Sequence, residues 1–594
     1  MDSSVNSNGY RGLVDQAYIQ PIKTVLVIDD QYKSLDCFLD GLTQDLVFSA
    51  NAELTRQIDT LKMVRSNNWL ADMHDGQISN NDPALFMRLH QCDLLILDYH
   101  LDATNQADPT KALEILSALN QNHHFNLVVV YTAAEDLKKV RTEMFLQLAS
   151  TEFDIFLDDA SNIEKMVQNW SDEGDDYLDE LLSKITKSEI ETVLTHKGVL
   201  DGLTEFTALF SPLQMVLDSG EIELSTEEAK ELYLFLLKEK VRVLHEEGEF
   251  SGASSVEVSC DLEDPIWLKT DKLFVTVVSK EQVQPKQLPE TLINALENWS
   301  PTCHQLLLAK IKNELDDHGQ AFENDVLNCK YTSTGWLKEF SENEGGSQLT
   351  ITRLMEELSN SINNSSELNC FSKNINTYIE GKGLSSVIAK ETCNEVRLDI
   401  AADKIKVLKH LNAYINTQNI EGNHLMTGHV IKWYDSNPEK TQYLLCLTPA
   451  CELVPGRANS NNNKGWKSDL APLLPVKVIR LIKQENDKKS LKDITKKPIV
   501  VLNIDKTTMC FKAADDGKSV FDEQIFANYQ GKFKDLEGSK KVEIQRTILN
   551  EQVLSIDTRE CRIVAHLRYE YALNLLQRLG QDLTKIGLDY VAFR

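Results

Sequence analysis

The stretch Val25–Asp30, with the sequence VLVIDD, decides the fold of the N-terminal part of this chain. Its four consecutive apolar residues are typical of a strand buried on both faces of a parallel sheet. The run Leu94–Leu97 predicts a second such strand, followed by Asp98, and the run Leu127–Tyr131 predicts a third, followed by Thr132. Amphipathic helical patterns lie between these runs. Strands that alternate with helices predict a doubly wound α/β sheet.

Two further elements of this sheet have weaker patterns. A poorly marked strand is expected at about Asn51 to Asp82, within an insertion between Asp30 and Asp98. The run Phe153–Leu157 predicts a fourth strand on apolar content alone.

Acidic and hydroxyl side chains follow the main strands of this predicted sheet. Asp29 and Asp30 follow the first strand, Asp98 follows a later one, and Thr132 follows the next. Ligands of open α/β sheets bind outside the carboxyl ends of the strands. Three carboxylates gathered there would repel one another unless a cation compensates, and Mg²⁺ suits such a set of oxygen ligands. An ionised Asp98 beside that cation could attack phosphorus to form an aspartyl phosphate.

The segments VLVIDDQ, LLILDYHL and VVVYTA, in this order, resemble the receiver domain of response regulators. The resemblance implies that a histidine kinase phosphorylates Asp98. It also implies that Asp30 and Asp98 bind Mg²⁺ directly, that Asp29 helps through water, and that the backbone carbonyl of His100 completes the metal site. The hydroxyl of Thr132 would bond to the phosphoryl group and sense its presence.

The family also has a lysine at the end of its last strand, which this sequence does not show. After Phe153–Leu157 the chain continues with Asp158 and Asp159, and an acid cannot pair with a phosphoryl group as lysine does. Lys138 or Lys139 could substitute. The departure favours phosphate acceptance without the usual switching, and it leaves open a degenerate receiver that serves only as an interaction module.

The patterns along the sequence predict a multidomain α/β plus α+β protein. It consists of a flavodoxin-like receiver, a helical middle, and a β-rich, barrel-like C-terminal domain closed by a helix. Its 594 residues are too many for one core. Changes in pattern predict the following segments: a flexible N-terminus at 1–21, the receiver at 22–172, a helical region at 173–250, an α+β domain at 251–345, a helical linker region at 346–420, and the β-rich domain at 421–594.

Composition narrows the possible partners and location. The formal net charge is −29, which disfavours binding to nucleic acid or to an anionic membrane surface. No apolar run is long enough to span a bilayer or to serve as a signal peptide. The 11 cysteines are scattered without CxxC pairs, as expected in a reducing compartment. These features predict a cytoplasmic protein.

Three hypotheses about function follow. The first is a receiver protein that accepts phosphate from a histidine kinase, as a sink or docking component beside a second response regulator or an effector; its architecture resembles the receiver component of Detocs-type anti-phage systems, which implies a role in antiviral defence. The second is an effector enzyme after about residue 161, gated by phosphorylation, although no common nucleotide or hydrolase motif occurs in the chain. The third is the degenerate interaction module.

Overall fold

The computed structural model divides the chain into two compact units, Met1–Glu391 and Thr392–Arg594. The structure describes residues 9–34, 52–76, 89, 91–102, 108–122, 124–150, 163, 167, 177–195, 203–219, 222, 224–249, 252, 254–259, 265–327, 330–331, 334–335, 337–338, 355–356, 358–360, 362–391, 403–420, 422–434, 441–454, 470–513, 520, 522–536, 539–550 and 553–584.

The first part of unit one alternates strands and helices, as the sequence predicts. Its elements are α1 (Tyr10–Val14), which continues as a π-helix (Asp15–Ile19), β1 (Thr24–Ile28), α2 (Ala52–Ser66), β2 (Leu70–His74), β3 (Leu94–Leu97), α3 (Thr110–Asn120), β4 (Asn126–Thr132) and α4 (Leu137–Leu148). Residues 10–19 were expected to be flexible. They are instead helical, because Leu13 and Val14 are buried in the core of the unit.

Helices then dominate until the chain returns to the sheet. This part contains α5 (Tyr177–Lys184), α6 (Lys187–Thr195), α7 (Leu203–Ser219), α8 (Thr226–Glu246), β5 (Glu257–Val258), β6 (Ile266–Lys269), β7 (Leu273–Ser279), α9 (Leu288–Trp299), α10 (Cys303–Leu327), α11 (Ser366–Lys382) and α12 (Leu384–Glu391). We call α5–α8 the inserted helices, because they stand between β4 and the strand that pairs with it. Residues 153–157, predicted as a strand, lie outside the described residues.

One seven-stranded sheet, in the order β2-β1-β3-β4-β7-β6-β5, organises unit one. Strands β2, β1, β3, β4 and β7 are parallel, and β7, β6 and β5 are antiparallel. The fifth parallel strand is therefore β7. The sheet extends beyond the predicted receiver segment 22–172, because β7, which lies in the segment predicted as an α+β domain at 251–345, pairs with β4 along its whole length.

The continuous apolar runs arise because both faces of this sheet are covered. On β1, Val25 and Val27 belong to one apolar cluster, whereas Leu26 and Ile28 belong to another. Alternate side chains of a strand point to opposite faces, so every residue of the run is removed from water. The prediction of a doubly wound parallel sheet is confirmed.

Unit two is rich in β-structure. Its elements are α13 (Lys404–Asn416), β8 (Thr417–Gln418), β9 (His429–Trp433), β10 (Gln442–Cys446), α14 (Ala450–Leu453), β11 (Leu474–Lys483), α15 (Asp487–Asp493), β12 (Ile499–Ile504), β13 (Thr507–Lys512), β14 (Asp522–Ala527), β15 (Lys534–Leu536), β16 (Ser539–Asn550), β17 (Val553–Leu567) and α16 (Tyr569–Leu583).

Six of these strands close into a barrel. The path β10-β9-β17-β16-β14-β11 returns to β10 through an additional β10–β11 pairing. Helix α16 buries Ala572, Leu575 and Leu579 in one of the apolar clusters of this unit. The predicted barrel-like domain with a closing helix is confirmed. Among the described residues of both units, no helix is both long enough and apolar enough to cross a bilayer.

Candidate functional site

Three carboxylates meet at the carboxyl edge of the parallel sheet. Asp29 and Asp30 directly follow β1, and Asp98 directly follows β3. The backbone N–H of Asp98 donates to the carbonyl of Ile28 at 2.8 Å, so the pairing of β1 with β3 continues up to the site. One oxygen from each of the three carboxylates lies within 4.8 Å of the others. The sequence prediction that these acids come together is supported by this geometry.

A lysine completes the cluster. Lys280 directly follows β7, and its Nζ donates to Oδ2 of Asp29 at 2.7 Å and to Oδ2 of Asp98 at 2.6 Å. Asp29, Asp98 and Lys280 are only 3%, 6% and 4% exposed. Both contacts are therefore buried ion pairs, which interact more strongly than exposed pairs.

Thr132 lies at the end of the strand between β3 and β7. It is fully buried, and its Oγ1 accepts a hydrogen bond from the backbone N–H of Ala134 at 3.1 Å. Its carbonyl accepts from the N–H of Lys280 at 2.7 Å. Thr132 and Lys280 are thus neighbours across the β4–β7 pair, as residues at the ends of adjacent parallel strands should be.

The two residues after Asp98 differ in their surroundings. Tyr99 is buried and donates a hydrogen bond from its hydroxyl to Oε2 of Glu143 on α4 at 2.6 Å. The ring of His100 lies edge-on to the ring of Tyr99, with 5.1 Å between centroids. The assignment of the His100 backbone carbonyl to a metal stays a prediction.

Burial and mutual repulsion set the electrostatics of the cluster. Burial raises the pKa of Asp98 to about 6, and Lys280 opposes this rise. Burial, and then the charge of Asp29, also raises the pKa of Asp30. Burial alone would lower the pKa of Lys280, but Asp98 and Asp29 more than compensate and raise it. Burial lowers the pKa of His100.

The donor set fits a hard divalent cation. Three carboxylates face one lysine, so the ionised cluster keeps an excess of negative charge in a poorly hydrated place. Oxygen ligands at such a site suit Mg²⁺, which binds through a few carboxylates and keeps several waters. Asp29, Asp30 and Asp98 are the residues that could hold it.

The expectation that no lysine stands at the end of the last parallel strand is wrong, because Lys280 directly follows β7. Lys280 was missed because β7 follows β4 only after the inserted helices, far beyond the usual length of such a connection. A signal was present: the buried run Leu273–Ser279 ends directly before Lys280. The proposed substitutes, Lys138 and Lys139, are exposed on the first turn of α4.

Comparison with known proteins agrees with this geometry. Residues 21–173 match the sequence model of a family described as a response receiver domain. The match covers about a quarter of the chain and ends before β5–β7, so it does not include Lys280. No curated protein and no solved structure matches the chain. Receiver domains accept phosphoryl groups in two-component signalling and generally bind Mg²⁺ at an aspartate cluster.

Proposed function

We propose that this protein is a response regulator that accepts a phosphoryl group on Asp98 from a histidine kinase in the cytoplasm. The observation that carries the proposal is the pair of hydrogen bonds from Lys280 to Asp29 and Asp98. With it, the acidic pair, the acceptor, the hydroxyl residue and the lysine of the receiver resemblance all lie at one edge of the sheet.

The transfer itself needs a nucleophile and a leaving group. A carboxylate oxygen of Asp98 forms a bond to phosphorus while the bond from phosphorus to the imidazole nitrogen of the donor breaks. The departing imidazole takes up a proton from solvent, and the product is an acyl phosphate on Asp98. With a pKa of about 6, the Asp98 carboxyl is mostly ionised near neutral pH, as this step requires.

The surrounding residues bind and orient the incoming phosphoryl group. Bound Mg²⁺ would neutralise charge on the carboxylates and on the phosphoryl oxygens, which lowers the barrier to attack. Asp29, Asp30 and Asp98 would hold the ion together with the carbonyl of His100. Lys280 would exchange its contact with Asp98 for one with a phosphoryl oxygen, and the Thr132 hydroxyl would donate to another oxygen.

The degenerate receiver is the weaker alternative. Its support was the apparent absence of the lysine, and Lys280 removes that argument. In the described part of unit two, no group of three or more potential metal ligands comes together, so nothing there favours a metal-dependent effector enzyme.

The phosphate-sink hypothesis, including its place in anti-phage defence, loses the same support. We keep it as a second candidate because a receiver can drain a kinase whether or not it also switches an output. Its test is competition: wild type and Asp98→Ala are added to the kinase and its other responder. A sink requires that responder phosphorylation is higher with Asp98→Ala than with wild type, and equal levels would exclude it.

The proposed function is tested by phosphate uptake. The full chain is incubated with Mg²⁺ and acetyl phosphate or the kinase, and intact mass and stability to acid and base are measured. Wild type should gain a base-labile phosphate. Uptake by Asp98→Ala should be at least about 100-fold lower, because the nucleophile is gone. Asp271→Ala is the matched control and should behave as wild type, because Asp271 is exposed and lies before β7, at the end of that strand opposite to Lys280. Uptake by Asp98→Ala would place the acceptor elsewhere.

A further inference from the structure

Helix α4 is shared by two apolar cores. Val140, Met144 and Leu148 pack in the cluster beneath the sheet. Phe145 and Leu146, on another face of the same helix, pack in the cluster formed by the inserted helices. A shift of α4 therefore changes the packing of both cores, because tightly packed interiors do not absorb a displacement locally.

One side of α4 is tied to the phospho-acceptor. Tyr99, the residue directly after Asp98, is buried and donates its hydroxyl hydrogen bond to Glu143 on α4. Because Tyr99 directly follows Asp98 in the chain, a shift of the backbone at the acceptor would reach the hydroxyl group that bonds to α4.

The other side of α4 is tied to the inserted helices. Arg141 Nε lies 2.6 Å from Oε1 of Glu191 on α6, and both residues are nearly inaccessible to solvent. The Thr142 hydroxyl donates to the second carboxylate oxygen of Glu191. A buried carboxylate held by two successive residues of one helix is costly to separate from that helix.

The segment that leads from the inserted helices back to the sheet is also bonded to α4. Arg141 Nη1 donates to the carbonyl of Ser259, directly after β5, at 2.9 Å. The N–H of Ser254 donates to the carbonyl of Leu148 at the end of α4. At Gly252 a Cβ atom would collide with the backbone of Leu148, so only glycine permits this approach. After this crossing the chain runs through β6 to β7, the strand that ends at Lys280.

We propose that the inserted helices are the output element of the receiver, and that Tyr99, Arg141 and Thr142 are the positioning residues that couple them to the state of Asp98. The inference rests on the proposed function. A phosphoryl group on Asp98 takes over a contact of Lys280 and adds volume beside Tyr99. The Tyr99–Glu143 bond passes this change to α4, and the Arg141–Glu191–Thr142 cluster passes it to α6. Each state of Asp98 then favours one packing of the inserted helices.

Hydrogen exchange on the full-length protein tests the proposal. Exchange is measured by mass spectrometry with Mg²⁺, in the presence and absence of beryllium fluoride, a phosphoryl mimic. In wild type, peptides within 177–195 and 226–246 should change their exchange rates at least about twofold.

Two conservative variants test the route. Tyr99→Phe and Thr142→Val each remove one hydroxyl and keep the packing, and each should reduce the change in the inserted helices to less than about half of its wild-type size. Phosphate uptake from acetyl phosphate, measured in parallel, should stay within about twofold of wild type in both. Tyr233→Phe is the matched control: Tyr233 is buried in the inserted helices, and its hydroxyl has no hydrogen-bond partner among the described residues. It should respond as wild type.

The outcomes separate the two proposals. Phosphate uptake with unchanged exchange in the inserted helices would overturn the coupling and leave the proposed function intact. A full response in Tyr99→Phe and Thr142→Val would overturn the assigned route. Absence of phosphate uptake by wild type would overturn the proposed function, and the coupling with it.

Discussion

The two units bury ionisable side chains in opposite ways. In unit one, Asp29, Asp98 and Lys280 are buried as charges at the ends of neighbouring parallel strands. In unit two, His429 and His566 are buried side by side, with 4.3 Å between ring centroids. Burial, and then the neighbouring His566, lowers the pKa of His429 to about 3, so this ring is neutral at neutral pH.

The difference shows when burial indicates chemistry. The histidines face each other across paired strands β9 and β17, and the N–H of Met426 donates to Nδ1 of His429 at 2.9 Å. The neutral ring carries no charge that needs a counterion, although its buried Nε2 has no hydrogen-bond partner among the described residues. The carboxylates of unit one exceed the single lysine, and buried excess charge is stable only when a cation or a proton compensates. Unbalanced buried charge thus distinguishes a candidate reaction site from ionisable side chains that are buried in neutral form as part of the core.

The largest expected effect comes from removing the lysine. Lys280→Met leaves Asp29 and Asp98 buried without their cation, which should lower the free energy of unfolding by about 3 kcal/mol in the presence of EDTA. Addition of Mg²⁺ should recover part of this loss. Thermal denaturation with and without Mg²⁺ measures both effects.

Lys269→Met is the matched control for this variant. Lys269 is also nearly buried, but it pairs with the exposed Glu257 and lies over the ring of Trp299. Its removal should cost about 1 kcal/mol or less and should not respond to Mg²⁺. Equal losses in the two variants would remove the distinction between the charged cluster and an ordinary ion pair.

Low pH should lower the folding stability of unit two through the buried His429. The pKa of His429 is about 3 when folded, against an ordinary value of 6.5. The unfolded chain therefore binds a proton that the folded chain excludes, and the stability contribution is lost progressively as pH falls below 6.5. At pH 5 this loss is about 2 kcal/mol.

Hydrogen exchange of amides in β9 and β17 between pH 7 and pH 5, corrected for the intrinsic pH dependence of exchange, measures this effect. His429→Gln should flatten the pH dependence, whereas His410→Gln, at an exposed position on α13, should leave it unchanged. An unaltered slope in His429→Gln would show that this ring is not the group that titrates.

The smallest effect is stabilisation of the wild type by Mg²⁺. At ten times its dissociation constant, a ligand that binds one folded site adds about 1.4 kcal/mol. The added protection against hydrogen exchange should appear in β1 and β3 and not in β9 and β17. Among the described residues, a group of three carboxylates occurs only at the ends of β1 and β3. Asp30→Asn should abolish it. Equal protection of both sheets would contradict a specific site.

Much of unit one could be predicted from local pattern. Apolar runs such as Leu94–Leu97 identify strands that are buried on both faces, and the polar residue after each run marks the carboxyl edge. Local pattern placed Asp29, Asp30, Asp98 and Thr132 at this edge, where the structure has them. The barrel of unit two was recognisable from short strands and turns, although its closure through β10 and β11 depends on pairing that no local pattern records.

The sequence by itself determined where the main buried strands lie along the chain and which acids follow them. A run of consecutive apolar residues indicates burial on both faces, and the chain direction shows which residue stands at the carboxyl end of the strand. Only the tertiary structure decided that Lys280 belongs with them. The inserted helices separate β4 from β7 along the chain, and the backbone register of Thr132 with Ser279 brings the lysine to the site. Parallel pairing depends on distance in space and not on distance along the chain, so the residue that balances two buried carboxylates could be found only in the folded sheet.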